Sequence, residues 1–344
     1  MRKYIFLLLA VLLSSISVWA KDISPLILTI KTYPLTEEEK AYLIESNPYG
    51  FIFIEQDFKK HINFPYLKQE LTDLLGHEVY FFADQEGGKV NRLRHVFPKR
   101  KFPSAAYYGG MVGQIGLMKT KRLVFNKAKE TAQLLSLISI DVNLAPNAEI
   151  AHQDYNNFFK TRLYSQSPKI VKELSEAFAQ GTRAGGAEPC YKHFPGTARS
   201  QLDPHKLVPV INVTLQDLNK REFIPFTPIK DYKYVMMGHA LYPKIDETNI
   251  STFSPTFYKL LREDLGFNGL IITDALNMRA TGTISIGEKI ANSLSAGADL
   301  AMPFFDYNMS FEQRLEELNK IPPELIKNFN KKLQELSLKN NPPL

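Results

Sequence analysis

The feature that most restricts this chain is a recurrence of short, unbroken apolar runs, each separated from the next by a longer amphipathic segment. The runs are Pro25–Ile30, Gly50–Glu55, Val79–Asp84, Ile140–Pro146, Ala187–His193, Tyr234–His239, Gly269–Asp274 and Asp299–Pro303. Continuous apolar runs of this length are expected of strands in a parallel sheet covered on both faces. Between them lie helical patterns. Ser167 and Pro168 read as N-cap and first residue of a helix with Val171, Leu174 and Phe178 on one face. Ser254-Pro255 opens another helix, stopped by Gly266. Helical periodicity also covers Lys119–Leu137, Gly287–Ala296, Phe311–Leu318 and Pro323–Leu338. Eight strands alternating with helices define an α/β chain and predict a single-domain (β/α)8 TIM barrel. A doubly wound open sheet uses the same alternation, and the strand count alone leaves it open.

No linker, charge block or low-complexity tract divides residues 21–344. The first twenty residues differ. Arg2 and Lys3 precede the apolar run Tyr4–Leu13, and a Ser-rich stretch ends in Val18-Trp19-Ala20. This is the pattern of a signal peptide cleaved before Lys21, with an apolar core too short to span a bilayer comfortably. A periplasmic or secreted protein with no stable membrane insertion after cleavage is expected, with residues 21–344 as the catalytic domain. The one cysteine, Cys190, forms no intramolecular disulfide, so stability must rest on the apolar core. Formal net charge is +6, but the lysines are scattered, which argues against a nucleic-acid surface. A monomer is the expected state.

The polar residues fall where a barrel gathers its chemistry. Asp84, Lys192-His193, His239 and Asp274 each stand at the carboxyl end of a different strand. After Asp84, two glycines let the backbone turn sharply, so that Arg92 can return to the same pocket. Asp84 then accepts hydrogen bonds from sugar hydroxyls and Arg92 donates them; the plainer alternative is a loop salt bridge. Asp274 follows a buried run, where an anionic carboxylate is costly unless paired or used; it is a nucleophile or the cap of the next helix. The loop Tyr191–His205 presents Asp203 and His205 two residues apart, a pairing that makes a proton carrier near neutral pH. Retaining glycosidases need a carboxylate nucleophile and a proton donor. Asp274 fits the first role. His205, oriented by Asp203, fits the second better than any remaining carboxylate. No helical histidine pair, cysteine set or nucleotide loop is present, so no metal site is expected.

Taken together, DQEGGKVNRLR (84–94), DVNLAP (141–146), RLYSQSP (162–168), KHFPG with the later D-x-H (192–205), GHALYP (238–243) and ITDALNM (272–278) resemble glycoside hydrolase family 3. The likeness is to its single-domain bacterial N-acetyl-β-glucosaminidases and covers most of residues 25–340. It implies retaining hydrolysis of terminal β-N-acetylglucosamine from peptidoglycan or chitin-like fragments. It implies Asp274 as nucleophile and His205 with Asp203 as acid/base. It places Asp84, Arg92, Arg162, Lys192 and His193 on the sugar hydroxyls, His239 near the pocket, and no metal or organic cofactor.

Two departures from the family pattern stand out. Thr197-Ala198-Arg199 replaces the usual His-Gly-Asp/Asn, and Pro204 replaces the usual Ser between Asp203 and His205. Loop length is kept, and proline predicts a stiffer loop. A β-glucosidase-type or phosphorolytic enzyme on the same scaffold, and a non-catalytic sugar-binding relative, are the alternative readings.

Overall fold

A computed structural model describes residues 21–152, 159–200, 202 and 206–340. Residues 1–20, expected above to be a signal peptide, the pair Asp203 and His205, and Pro204 therefore lie outside the described residues. Eight parallel strands close into a barrel: β1 (Ser24–Leu28), β2 (Pro48–Phe53), β3 (Tyr80–Ala83), β4 (Val142–Asn143), β5 (Glu188–Phe194), β6 (Tyr234–Met237), β7 (Leu270–Ala275) and β8 (Leu300–Met302). Each strand pairs with its sequence neighbours, and β1 closes on β8 through Leu26 and Ala301. The doubly wound alternative is excluded by that closure.

The barrel explains the unbroken apolar runs. Ile27, Ile52, Phe82, Tyr234, Met236, Leu270 and Ile272 pack together inside it. Their neighbours Leu26, Leu28, Phe51, Phe53, Phe81, Val235 and Ile271 pack outward with the helices. Both sets are buried, at roughly 1.5–3 kcal/mol for each large side chain taken from water. Tyr49 and Tyr234 share a hydrogen bond of 2.7 Å in the interior. The C-terminal helix Pro323–Asn340 covers the amino ends of the strands. There its Phe329 packs edge-on to Tyr49 at 5.6 Å, and Asn330 bonds the backbone of Ile23. One end of the barrel is thus plugged, and the carboxyl ends of the strands carry the polar residues.

The helix Pro168–Ala184 starts as expected, with the Ser167 hydroxyl accepting from Ile170 N and with Val171, Leu174 and Phe178 buried. The Ser254-Pro255 start holds, but without a capping bond from Ser254. That helix runs Pro255–Lys259, widens into a π-helical turn over Leu260–Asp264, and ends before Gly266 at φ 65°. β4 is only two residues long, shorter than the apolar run Ile140–Pro146. Pro146 has no N–H for the ladder, and the Asn143 side chain bonds both N and O of Gln85 instead. Among the described residues no helix is long and apolar enough to cross a membrane.

Candidate active site

The site begins where β3 ends. Asp84 is followed by a tight hairpin pairing Gln85–Gly87 with Val90–Asn91. Its turn needs glycine twice over. Gly87 and Gly88 have φ of 90° and 60°, and a Cβ on Gly87 would lie 2.2 Å from the Pro103 carbonyl oxygen. The turn brings Arg92 back to Asp84, with Nη2 3.6 Å from Oδ2. The loop salt bridge and the pocket donor are therefore the same arrangement, because Arg92 and Asp84 both line the cavity.

β5 delivers the next pair. Lys192 Nζ lies 2.6 Å from Asp84 Oδ1 and 2.8 Å from Glu86 Oε1, and its side chain is almost wholly buried. Arg162 reaches the same Glu86 with a two-pronged contact, Nε at 2.8 Å and Nη2 at 2.7 Å. Burial alone would push Glu86 up, but Arg162 and Lys192 outweigh it and hold the carboxyl far below the ordinary range. Burial would likewise push Lys192 down, and Asp84 and Glu86 reverse that. Glu86 thus fixes two cations at the rim of the pocket.

His193 points the other way. Its Nδ1 is 2.6 Å from Glu149 Oε1, and its Nε2 is 3.8 Å from Asp274 Oδ2. Asp274, on β7, accepts from Ala275 N at 2.7 Å and keeps 21% of its side chain open. Burial would raise its carboxyl; His193, His239 and the Ala275 N–H overcome this and keep it below the ordinary value. Asp274 is therefore an ionised carboxylate facing a cavity, as a nucleophile requires. His239 has less freedom. Nδ1 lies 2.5 Å from Thr252 Oγ1 and Nε2 3.1 Å from the Ala275 oxygen, while burial pushes its pKa down. Its ring braces the β7 end beside Asp274, and it lines the cavity with both nitrogens engaged.

All seven described residues singled out from the sequence, Asp84, Arg92, Arg162, Lys192, His193, His239 and Asp274, line one cavity of about 180 Å3. A second hollow of about 260 Å3 shares Asp84, Asp274 and Met278 and is also lined by Leu144, Met236 and Phe304. Glu149 is the residue that sequence reasoning passed over. It is fully buried and accepts from His193, from the N–H and hydroxyl of Thr197, and from Ala198 N. These bonds outweigh burial and hold its carboxyl low. The signal was a lone charge in the apolar stretch LAPNAEIA (144–151), since a buried carboxylate must be paired.

A closed parallel barrel with ionised carboxylates and fixed cations gathered at the carboxyl ends of its strands has the architecture of a barrel enzyme. The sequence pattern of the glycosyl hydrolase family 3 N-terminal domain matches residues 27–336, and the chain belongs to that family as a glycoside hydrolase. It is 29% identical over 279 residues to a β-hexosaminidase of Neisseria meningitidis, covering 79% of this chain and 76% of that one. Native NagZ from Neisseria gonorrhoeae superposes with a TM-score of 0.73 at 25% identity, over 90% of this chain and 96% of that one. A fungal multi-domain family 3 β-N-acetylglucosaminidase superposes with a TM-score of 0.76 at 27% identity, over 91% of this chain and 38% of that larger one.

Proposed function

We propose that this chain is an exported retaining β-N-acetylglucosaminidase that removes terminal β-N-acetylglucosamine from peptidoglycan or chitin-like fragments. The observation that carries this reading is Asp274, an ionised carboxylate open to a cavity that Asp84, Arg92, Arg162, Lys192 and His193 also line. The relatives named β-hexosaminidase supply the sugar class, and the leader-like residues 1–20 supply the address.

In the first step an Asp274 oxygen attacks the anomeric carbon. A C–O ester forms as the glycosidic C–O bond breaks, and His205, held by Asp203, gives its proton to the leaving oxygen. In the second step His205 takes a proton from water, which attacks the same carbon and frees Asp274. Asp84, Lys192, Arg92 and Arg162 bind the sugar hydroxyls, with Glu86 keeping Lys192 and Arg162 in place.

The test is release of nitrophenol from the β-N-acetylglucosaminide and, side by side, from the β-glucoside, by the protein lacking residues 1–20. Turnover of the first alone is the expected result. Turnover mainly of the second overturns the sugar assignment. Binding of N-acetylglucosamine without turnover of either overturns the enzyme assignment. Product sugar phosphate in phosphate buffer overturns hydrolysis.

A further inference from the structure

Lysines are spread along the whole chain, but carboxylates are not. From Gly87 to Lys129 the sequence has eleven lysines and arginines and no aspartate or glutamate. Part of that stretch serves the site through Arg92, and Arg94 is taken up by Glu55 at 2.6 Å. Much of the remainder forms two helices. Ala105–Ile115 has no charged residue, and Tyr107 stands 54% exposed on it. Leu117–Leu137 is basic and, at 1.5 Å per residue, about 31 Å long.

The exposed positions of this second helix recur every three or four residues and fall on one face. Lys119, Arg122 and Lys129 supply the charge of that face, and none of them has an acidic partner among the described residues. Met118, Leu123 and Leu137 supply its apolar part, with Met118 75% exposed. The one acid of the helix, Glu130, stands at the edge of the face and is taken up by Lys127 at 3.0 Å and Arg100 at 3.4 Å. Lys121 is likewise engaged, by Glu173. Between the first turns of this helix and Ala177 and Gln180 of the next lies a hollow of about 480 Å3, where Met118, Lys119, Arg122 and Phe125 form one wall.

Cations and large apolar side chains on one exposed face call for a partner with negative charge at its surface and apolar depth beneath. A soluble polyanion meets the first need and leaves Met118 and Leu123 in water. An anionic phospholipid layer meets both. Its phosphates pair with the long lysine and arginine side chains, while methionine, leucine and tyrosine sink to the acyl boundary.

We propose that the exposed face of the helix Leu117–Leu137, with Tyr107 beside it, docks on an anionic phospholipid surface. The helices of a (β/α)8 barrel run alongside its strands. A helix lying flat on lipid therefore lays the barrel on its side, and the pocket at the strand ends opens along the surface. The docking does not depend on the reaction assigned above.

The experiment is co-sedimentation with vesicles, using the protein lacking residues 1–20, because the apolar run Tyr4–Leu13 would carry the chain to any bilayer. One set of vesicles is phosphatidylcholine alone, and the other contains about one-third phosphatidylglycerol. Wild type is expected to bind the second set and not the first, and to bind it less as salt rises. Each cation near an anionic surface shifts partitioning by roughly fivefold, so Lys119→Gln/Arg122→Gln should lose at least about tenfold. Met118→Ser/Leu123→Ser keeps every charge and should lose at least about fivefold. Lys230→Gln/Lys244→Gln, which changes two exposed lysines on other elements, should lose less than about twofold. Thermal melts check that each variant is folded, and Arg122→Gln and Met118→Ser alone replace a pair that is not.

Absence of wild-type binding to the phosphatidylglycerol vesicles overturns the proposal, and so does equal binding to both sets. Equal losses in the Lys119/Arg122 and Lys230/Lys244 pairs overturn the assignment to this face. Undiminished binding by Met118→Ser/Leu123→Ser, with wild type held as tightly by soluble polyglutamate, overturns the lipid in favour of a soluble polyanion.

Discussion

His193 Nδ1 meets the buried carboxylate of Glu149 at 2.6 Å, and the opposite nitrogen of the same ring faces the Asp274 carboxylate. A carboxylate on one imidazole nitrogen selects which nitrogen carries its hydrogen and fixes the plane of the ring. Glu149 thereby acts on Asp274 through His193, and through Thr197 and Ala198 it also holds the wall of the cavity. Glu149→Gln keeps the shape but presents an amide to an imidazole. We expect kcat/KM to fall by about 10- to 100-fold, equivalent to the ~1.5–3 kcal/mol of a charge-assisted hydrogen bond. Most of that loss should vanish in a His193→Ala background, because residues acting as a unit are not additive. Fully additive losses would show that Glu149 does not work through His193.

Asp274→Asn tests the nucleophile. The amide can occupy the same space and keep the Ala275 N–H bond, so sugar binding should survive while turnover drops by several orders of magnitude. Because His193 and His239 hold Asp274 below its ordinary value of 3.8, the wild-type carboxylate stays ionised throughout the mildly acidic range. The acid limb that Asp274 gives to the pH profile of kcat/KM should therefore lie below that value. Activity within tenfold of wild type in the Asn variant would remove Asp274 from the assigned role.

Much of this site was legible because barrel chemistry stands at strand ends. Asp84, Lys192, His193, His239 and Asp274 are polar residues terminating apolar runs, and no pairing information was needed to notice them. Their partners were not legible in the same way. Glu86 reads in the sequence as orienting the turn, capping the next segment or touching substrate, and none of these readings shows that it holds Arg162 from 76 positions away. Glu149 acts on His193 from 44 positions away and Glu222 on Arg199 from 23, across separate loops. Periodicity describes local structure and is silent about which loop folds over which. The helices Glu37–Ser46, Phe64–Leu75 and Ala105–Ile115 were also passed over. Ala105–Ile115 carries three glycines, which weaken its helical signal, and it forms because it packs against the Arg162 loop.

Glu86 should make stability depend on acid pH, with a definite sign. Its folded carboxyl is held far below its ordinary value of 4.5, so the unfolded chain binds more protons as the pH falls through the window beneath 4.5. The contribution is fully present above 4.5 and is lost progressively as the pH drops toward the depressed folded value. Glu86→Gln removes that term and leaves Arg162 and Lys192 short of a counter-charge. At neutral pH we expect a loss of about 3–5 kcal/mol, as for breaking a buried ion pair. Below pH 4.5 the Tm of the variant should fall less steeply with pH than that of wild type. Thermal melts across that window decide it, and parallel slopes would mean that Glu86 is not a source of the acid sensitivity.

Gly109 gives a test of how the Arg162 loop is held. It sits within the helix Ala105–Ile115 and has an ordinary helical backbone, so its lack of a side chain concerns space and not conformation. A Cβ there would fall 1.6 Å from the Tyr164 carbonyl oxygen, two residues beyond Arg162. Backbone cannot swing aside as a flexible side chain can, so either the helix or the loop must move. Gly109→Ala should therefore cost about 1–3 kcal/mol, the usual penalty of overpacking. The neighbouring Gly110→Ala, with open space around its Cβ, should instead be neutral or stabilising, since alanine favours helix by about 1 kcal/mol over glycine. The shift in Gly109→Ala should also reach the Glu86–Arg162 fork and raise KM, while Gly110→Ala leaves KM unchanged. Equal Tm and KM in the two variants would show that the helix does not hold the loop.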